Sequence, residues 1–309
     1  MDKFPLVSAI VTTYKRPIEI VQKALQSIVN QDYENIEIIL VNDAPEEEEL
    51  SVGLENLSKS FPRKIQYIKM KQNSGACAAR NKGIERATGE FIAFLDDDDE
   101  WCTQKIRKQV FSFNDIKIGL SYCNFWIKEE GKEIRIRTEN LLPSGKVFNQ
   151  LLEKNHIGSS SFPMIRKSVA IDAGLFNLNM PALQDWDFWL RVTQRCETVY
   201  LDEPLGIYYF YKGDRISSYP EKRIKGFENI FRQYKDYFEK NSNIQANYIA
   251  EGITFYVNGG DFKSAISLYK KMIFKDKKNI KRNIRILVKI IVRFFPLQRL
   301  YNHNFMIEE

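Results

Sequence analysis

The stretch GEFIAFLDDDDEW, residues 89–101, joins a short apolar segment to four consecutive aspartates, Asp96–Asp99. The apolar residues Phe91, Ile92, Phe94 and Leu95, in a run bounded by Gly89, indicate a strand buried on both faces. Adjacent carboxylates repel one another and raise each other's pKa unless a cation lies among them. An acidic run is usually a solvated loop, and Glu46–Glu49 in PEEEEL, which follow a proline in a polar segment, predict a solvated helix start. At the carboxyl end of a buried parallel strand, however, the aspartates lie where open α/β sheets bind ligands, and their oxygens suit Mg²⁺ or Mn²⁺.

Strand and helix alternate in the sequence before this stretch. We predict strands at 6–14, 36–43, 65–70 and 90–95, and helices at 17–31 and 75–89. This alternation predicts an α/β fold with a mainly parallel sheet and helices on both faces. The polar residues at the strand ends then share one rim, which is the expected ligand site: Thr12, Thr13, Tyr14, Asn42, Asp43 and the four aspartates.

The pattern is less regular after residue 100. We predict helices at 103–113, 169–174 and 184–194, and strands at 118–128, 132–137, 159–168 and 205–211. From Glu221 onward the sequence is helical. We therefore expect an α/β domain over residues 1–220, which carries the ligand site, and a C-terminal helical region over 221–309.

The composition is that of an ordinary globular protein, with 44% hydrophobic and 28% charged residues in 309. We expect no signal peptide, because the first residues lack a basic segment followed by an apolar one. No apolar run is long enough to span a bilayer. Four cysteines without C-x-x-C spacing and two histidines do not fit a zinc site. These features predict a reduced, cytoplasmic protein.

The rim is a sensible place for a nucleotide diphosphate. An acidic side chain such as Asp43 can hold a base or a ribose hydroxyl, while a cation on the aspartates neutralises the diphosphate. The sequence contains no G-x-x-x-x-G-K-[ST] loop, and Gly75 is too isolated for a dinucleotide fingerprint. This pattern argues against an ATPase and against a nicotinamide-dependent dehydrogenase.

Three segments resemble the family 2 glycosyltransferases, which are inverting enzymes of the GT-A fold. They are VSAIVTTYKRPIEIVQKALQSIVNQDYENIEIILVND, NSGACAARNKGIERATGEFIAFLDDDDEW and GLFNLNMPALQDWDFWLRV. The resemblance runs in order from about Pro5 to about Ser217, roughly two-thirds of the chain. It is closest to enzymes of bacterial surface-polysaccharide synthesis.

The resemblance implies a role for each matching residue. The nucleotide-binding positions, usually for uridine, are Thr12, Tyr14, Asp43, Asn73, Gly75, Arg80 and Asp97. Asp96 and Asp98 match the D-x-D motif that binds Mn²⁺ or Mg²⁺, and we expect Asp98 to contact the metal directly. Asp185 matches the catalytic base.

The chemistry of sugar transfer with inversion agrees with these roles. One group must take the proton of the acceptor hydroxyl, and another must stabilise the leaving nucleotide on the opposite face. Asp185 would be the base, and the ion on Asp98 would take up charge on the diphosphate. The simpler interpretation is that Asp185 only caps the following helix. No Ser/His/Asp or Cys/His arrangement suggests a covalent mechanism.

Two positions depart from the family pattern. Gln184 stands where many relatives carry an acid before the base. Tyr211 stands where relatives often carry a histidine, so Tyr211, Lys212 or Arg215 would have to replace it. The loop YKGDRISS at 211–218 is a candidate lid over the donor.

The segment from Lys275 to Leu300 is strongly basic. The helical spacing predicts one apolar face, Ile284, Leu287, Val288, Ile291 and Phe295, and one basic face, Lys281, Arg285, Lys289 and Arg293. Such a helix is either an anchor over about 280–300 for an anionic membrane surface or a packed terminal helix with a solvated basic face. Contact with a partner protein or a second copy is also open.

We therefore expect an inverting, metal-dependent transferase that moves a sugar from a UDP-sugar to a hydroxyl of a saccharide or lipid-linked saccharide. Capsule, O-antigen or another cell-surface polysaccharide would be the product. A sugar nucleotidyltransferase is the second enzyme hypothesis, although TTYKRP is not its Gly-rich phosphate loop. A non-catalytic sugar- or membrane-binding scaffold is the third, and retention of Asp98 and Asp185 argues against it. Nucleic-acid binding is remote, because the basic residues cluster on one short helix.

Overall fold

The structure is a computed structural model that describes residues 4–129, 131–132, 134–136, 142–210, 219–276 and 278–294. Its strands are β1 Val7–Thr13, β2 Ile36–Asn42, β3 Ile65–Lys69, β4 Phe91–Asp96, β5 Glu100–Trp101, β6 Ile118–Glu129, β7 Arg135–Ile136, β8 Met164–Arg166 and β9 Glu197–Phe210. Its helices are α1 Ile18–Val29, α2 Glu48–Ser60, α3 Ala76–Arg86, α4 Lys105–Ser112, α5 Phe148–Glu153, α6 Lys167–Asp172, α7 Gln184–Thr193, α8 Pro220–Gln233, α9 Lys235–Lys240, α10 Ser242–Asn258, α11 Phe262–Lys275 and α12 Ile280–Phe294.

The strands of the described residues form one mixed sheet in the order β3-β2-β1-β4-β8-β6-β9-β5, with β7 paired to β6. The first four strands in this order, β3, β2, β1 and β4, are parallel to one another, as predicted. β6 also runs parallel to β9. β8 and β5 are antiparallel to their neighbours. In the parallel part, Thr12 pairs with both Val41 and Asp96, so the ends of β1, β2 and β4 are level. The predicted rim of polar strand ends follows from this register.

Helices cover both faces of the parallel strands. Val7, Ala9 and Val11 of β1 belong to one buried cluster with side chains of α1. Ile10 points to the opposite face, where α3 packs closely. A Cβ added at Gly83 of α3 would lie 2.4 Å from Ile10 Cγ2, so only glycine allows this approach.

A half-buried carboxylate, that of Glu37, fixes the turn that leads into β4. Glu37 of β2 accepts hydrogen bonds from Ser8 Oγ, from the backbone N–H and Oγ1 of Thr88, and from the N–H of Gly89. A Cβ at Gly89 would lie 2.7 Å from the Leu6 carbonyl oxygen, which explains the glycine there. Burial works against ionisation of Glu37, but these donors outweigh it and lower its pKa. The turn therefore sets where β4 begins and where its aspartates emerge.

Several boundaries differ from the sequence-based prediction. The predicted strand 159–168 is wrong over its first half, because Ser159 and Ser161 form hydrogen bonds to aspartates instead of a ladder, and only Met164–Arg166 is a strand. β9 begins at Glu197, well before the predicted residue 205. Short elements β5 and α5 carry too little periodicity to be predicted.

The chain divides into two compact units. The first comprises Met1–Leu151, His156–Asn179 and Gln184–Lys212, and the second comprises Leu152–Asn155, Met180–Leu183 and Gly213–Glu309. In the second unit, stacked aromatic rings of Phe227 and Tyr248 form part of the core, with Phe238 against Tyr248. No helix within the described ranges is long and apolar enough to cross a membrane. A domain boundary at residue 220 stays a prediction.

Candidate active site

The four aspartates at the end of β4 do not form a solvated loop. The N–H of Asp99 donates to the carbonyl of Asp96, so the chain turns tightly after β4. Asp97 and Asp99 are only 6% and 1% exposed. Each of the four carboxylates accepts at least one hydrogen bond from a neighbouring residue.

Asp96 is held by one arginine and two serines. Arg80 Nη2 of α3 lies 2.7 Å from Asp96 Oδ1. Ser159 Oγ and Ser160 Oγ each lie 3.2 Å from one of its carboxylate oxygens. Burial disfavours the charge on Asp96, but the arginine and the hydroxyls outweigh it and lower the pKa of Asp96. Arg80 therefore pairs with the last residue of β4 through a side chain that is only 12% exposed.

Asp97 and Asp98 share a second arginine. Arg16 Nε donates to Asp97 Oδ1 at 3.0 Å, and Arg16 Nη2 donates to Asp98 Oδ2 at 3.1 Å. Thr13 Oγ1 at the end of β1 donates to Asp97 Oδ2. Burial nevertheless raises the pKa of Asp97 to about 6. Sequence reasoning missed Arg16, although its place just after the first strand end was a usable signal.

Asp99 is the most enclosed of the four. Its oxygens accept hydrogen bonds from Ser161 Oγ at 2.6 Å and from the N–H of Tyr209 at 3.1 Å. Burial, followed by the charges of Asp96 and Asp98, raises its pKa well above the usual range. Ser161 Oγ also accepts from the N–H of Asp96, and the carbonyl of Ser161 accepts from Trp101 Nε1.

The Ser159–Ser161 turn thus holds the carboxylates of Asp96 and Asp99 through hydrogen bonds from its side chains. Sequence reasoning missed the turn, and the run of three serines before a phenylalanine was the available signal. Trp101 is buried and packs on the core.

The residues at the end of β4 fit a divalent cation. Asp96, Asp97 and Asp98 pair with the two guanidinium groups of Arg80 and Arg16, whereas Asp99 contacts Ser161 and Tyr209, so carboxyl groups are in excess over cations. The raised pKa values of Asp97 and Asp99 reflect that excess together with burial. Among the described residues, no group of three or more potential ligands forms a closed metal cage. Mg²⁺ and similar ions, however, are typically held by one or two carboxylates together with substrate phosphates.

The neighbouring strand end carries Asp43. Its two oxygens accept hydrogen bonds from the N–H groups of Ser74 and Gly75 at 2.9 and 2.8 Å. Burial raises the pKa of Asp43, although the two amides oppose the shift. Gly75 has a φ of +83° directly before α3, a conformation that glycine adopts without strain. Asp43 therefore fixes the loop that brings Asn73 and Gly75 to the rim.

The other predicted nucleotide-binding residues line the same edge. Thr12 is half-buried at the end of β1, next to Asp96 in register. Tyr14 and Asn73 are exposed there. Lys15, with a φ of 50°, pairs with Glu46 and Glu47 of the second acidic run. That run is exposed, as expected for a solvated segment.

Asp185 lies in the first turn of α7. It accepts a hydrogen bond from the N–H of Trp186 at 2.8 Å, but α7 begins one residue earlier, at Gln184, so Asp185 lies inside the helix and is not its cap residue. Burial raises the pKa of Asp185. The positive charge of Arg80 lowers this pKa, and the negative charge of Asp96 raises it. The two charged groups can act on Asp185 only because the fold brings α7 close to the end of β4. The structure therefore brings Asp185 together with the aspartates, 86 positions away from Asp99.

Buried contacts fix the helix that carries Asp185. Trp186 Nε1 donates to the Leu151 carbonyl at 2.7 Å. Asp187 is fully buried and pairs with Arg191 at 2.7 Å. Gln184 is half-buried at the start of α7. The candidate lid 211–218, with Tyr211, Lys212 and Arg215, lies outside the described residues.

Two curated relatives match most of the chain. A putative colanic acid biosynthesis glycosyl transferase, WcaA of Escherichia coli K12, is 31% identical over 253 residues, or 78% of this chain and 86% of WcaA. WfaP of Escherichia coli, a UDP-Glc:alpha-D-GlcNAc-diphosphoundecaprenol beta-1,3-glucosyltransferase, is 25% identical over 276 residues, or 89% of this chain and 99% of WfaP. A sequence profile described as glycosyl transferase family 2 matches residues 8–174.

Solved structures share the fold at low sequence identity. Staphylococcus aureus TarS 1–349 in complex with UDP-GlcNAc has a TM-score of 0.67 and 16% identity, with 97% of this chain and 93% of TarS 1–349 covered. The mannosyltransferase PcManGT from Pyrobaculum calidifontis in complex with GDP-Man and Mn²⁺ has a TM-score of 0.62 and 14% identity, with 98% and 89% covered. The predicted GT-A fold is confirmed by this likeness.

Proposed function

The chain belongs to glycosyltransferase family 2, and we propose that it transfers a sugar from a UDP-sugar to an acceptor hydroxyl with inversion at the anomeric carbon. The observation that carries this proposal is the position of Arg80. Its guanidinium pairs with Asp96, and Asp185 contributes to the raised pKa of Arg80 through its charge. Asp96, which we assign to the leaving group, and Asp185, which we assign to the acceptor, thus both lie within electrostatic range of the Arg80 guanidinium. Membership in the family also decides against a sugar nucleotidyltransferase.

Asp43 is the residue that we assign to the base of the donor. A carboxylate has about four lone-pair sites, and two of those on Asp43 are used by the amides of Ser74 and Gly75. The remaining sites can accept the imide N–H of uracil, which cytosine lacks. Thr12, Tyr14 and Asn73 border the same edge. The names of WfaP and of the TarS complex, both with UDP-sugars, support this choice of donor.

Asp98 and Asp96 are the residues that would hold Mn²⁺ or Mg²⁺. When bound, the ion supplies positive charge to the departing diphosphate. Asp96 is already engaged by Arg80, Ser159 and Ser160, which fixes its orientation and favours Asp98 as the main ligand. Arg16 lies between Asp97 and Asp98, where its guanidinium can also reach a diphosphate oxygen. The Mn²⁺ in the PcManGT complex supports a metal in this fold.

Asp185 is the residue that we assign as general base. The acceptor oxygen forms a bond to the anomeric carbon while the bond from that carbon to the diphosphate oxygen breaks. The acceptor proton passes to the carboxylate of Asp185, and the electron pair of the broken bond leaves on UDP. A raised pKa makes the Asp185 carboxylate a better proton acceptor than that of an ordinary aspartate.

The acceptor that we propose is a saccharide or lipid-linked saccharide in cell-surface polysaccharide synthesis. The names of WcaA and WfaP support this class of acceptor. We propose a cytoplasmic reaction, in keeping with the free thiols of Cys77, Cys102, Cys123 and Cys196.

The test is the release of UDP from a panel of UDP-sugars, with extracted lipid-linked saccharides as acceptors. We expect release by the wild type with at least one donor, and a loss of about 10²-fold or more in Asp185→Asn with UDP affinity retained. The matched control is Asp172→Asn, at the end of α6. Equal rates in Asp185→Asn and wild type would refute the role of the base. No release from any donor would favour the scaffold hypothesis.

A further inference from the structure

Helix α12 has three distinct faces. Its buried face consists of Arg282, Asn283, Ile286 and Ile290. Its basic face consists of Lys281, Arg285, Lys289 and Arg293. Its apolar face consists of Ile280, Ile284, Leu287, Val288, Ile291 and Phe294, whose exposed fractions run from 40% to 64%. We call this third set the apolar ridge.

The buried face attaches α12 to the second unit. Arg282 Nη1 donates to Asn247 Oδ1 of α10 at 2.7 Å and lies 3.3 Å from Asp276 Oδ2. The carbonyl of Asn283 accepts a hydrogen bond from the Tyr269 hydroxyl of α11 at 3.1 Å. Ile286 and Ile290 are nearly inaccessible to solvent. The interpretation of α12 as a packed terminal helix therefore accounts for one face and leaves the apolar ridge unexplained.

The apolar ridge is too continuous for an ordinary exposed surface. Its members recur at steps of three and four, so they lie side by side over four turns of the helix. Isolated exposed apolar residues need no explanation, but a contiguous set of this kind usually marks an interaction site. At the ends of the helix, the Phe294 ring packs edge-on against Phe262 of α11.

Charge decides which partner fits the ridge. The basic face adjoins it along Val288, and α12 contains no acidic residue. The nearest acid before it, Asp276, is paired with Arg282. A second copy that packed ridge to ridge would bring two basic rows together. An anionic lipid surface complements both faces at once, because its acyl chains accept the ridge and its phosphates accept the cations.

We propose that α12 lies flat in the interface of an anionic bilayer. Leu287 and Ile291 enter the acyl boundary, and Lys281, Arg285 and Arg293 remain at the level of the phosphates. This inference goes beyond the proposed function and does not depend on it. It concerns only how the second unit meets a lipid surface, and enzyme activity is not its readout.

The experiment is co-sedimentation of the full chain with vesicles. One set is pure phosphatidylcholine, and the other contains about one third phosphatidylglycerol. We expect binding to the second set only, weakened at high salt because exposed charges are then screened. Leu287→Glu together with Ile291→Glu should lower the partition coefficient about tenfold or more. Arg285→Gln and Arg293→Gln should each lower it about fivefold.

The matched controls are Ile116→Glu and Leu178→Glu, which place the same charge at apolar residues of the first unit that are 83% and 65% exposed. We expect these controls to bind as the wild type does. The glutamine variants test the proposal even if the glutamate variants lower thermal stability. Absence of wild-type binding to anionic vesicles, or equal binding by the ridge variants, would overturn it. A wild-type dimer that the ridge variants dissociate, without vesicle binding, would assign the ridge to a second copy instead.

Discussion

Arg80 Nη2 lies 2.7 Å from Asp96 Oδ1, which joins the helix after β3 to the last residue of β4. The guanidinium also packs 5.4 Å from the Phe176 ring. The Arg80 side chain is only slightly exposed, so solvent screens its charge weakly and the charge acts on the carboxylates near it. The contact explains how a run of aspartates is tolerated at a buried strand end and why the electrostatics of Asp185 depend on a residue from another element.

Replacement of Arg80 by methionine should lower both stability and activity. The change leaves Asp96 without its cation, and we expect a loss of about 1–3 kcal/mol in the free energy of unfolding, because Asp96 retains some solvent contact. Arg86→Met, on the exposed side of the same helix, is the control and should change it by less than about 0.5 kcal/mol. Urea denaturation measures both. Equal free energies of unfolding for Arg80→Met and the wild type would show that Arg80 does not stabilise Asp96.

The pH dependence of catalysis should report Asp185. The base must be ionised, and its raised pKa moves the acid limb of kcat/KM above the value of about 3.9 that is typical of aspartate. Arg80 lowers that pKa, so Arg80→Met should shift the limb to higher pH. Profiles of the wild type and the variant with one UDP-sugar measure the shift. A limb that does not move in the variant would contradict the coupling.

Removal of the Ser161 hydroxyl should destabilise the aspartate turn. Ser161→Ala leaves a buried oxygen of Asp99 and the N–H of Asp96 without their partner, at about 1–3 kcal/mol. Ser60→Ala, whose hydroxyl contacts only its own helix in the described structure, is the matched control. Thermal unfolding of both variants tests the difference. We also expect weaker UDP binding in Ser161→Ala alone, and unchanged binding together with unchanged stability would contradict the supporting role.

Glu37 should contribute stability that depends on pH. Its pKa is lowered in the fold, so its contribution is fully present above the unfolded value of about 4.3 and is lost as pH falls through the folded value. Glu37→Gln should therefore cost about 1–3 kcal/mol at pH 7 and progressively less below about pH 4. Denaturation at several pH values measures the gap between wild type and variant. A gap that stays constant with pH would contradict an ionised Glu37.

The sequence was sufficient for the parallel half of the sheet, because strands buried on both faces are continuous apolar runs with polar ends. Thr12, Asp43 and Asp96 could be placed on one rim from this pattern alone. The Ser159–Ser161 turn was assigned to a strand, since its bonds join residues more than 60 positions apart and leave no local period. Pairing of Arg16 with Asp97 and Asp98 was invisible for the same reason.

The C-terminal helix shows the limit of periodicity in another way. Its pattern predicted one apolar face and one basic face. The structure divides the apolar residues into a buried pair, Ile286 and Ile290, and an exposed ridge. A hydrophobic pattern indicates which residues of a helix are apolar, but only the packing of the folded protein shows which of them are buried. Phe295, assigned to the predicted apolar face, lies outside the described residues.

Calorimetric binding of UDP with Mn²⁺ and with EDTA, on the wild type and on Asp98→Asn, is the most direct test of the proposed site. Glu49→Gln, in the exposed acidic run, is the control, and GDP, TDP and CMP are the comparators. We expect UDP to bind more tightly than the comparators, to lose about tenfold or more in affinity with EDTA, and to bind weakly to Asp98→Asn in either condition. Binding of UDP that is indifferent to both metal and Asp98, or no nucleotide binding at all, would contradict the assignment of the aspartates to a cation and a diphosphate.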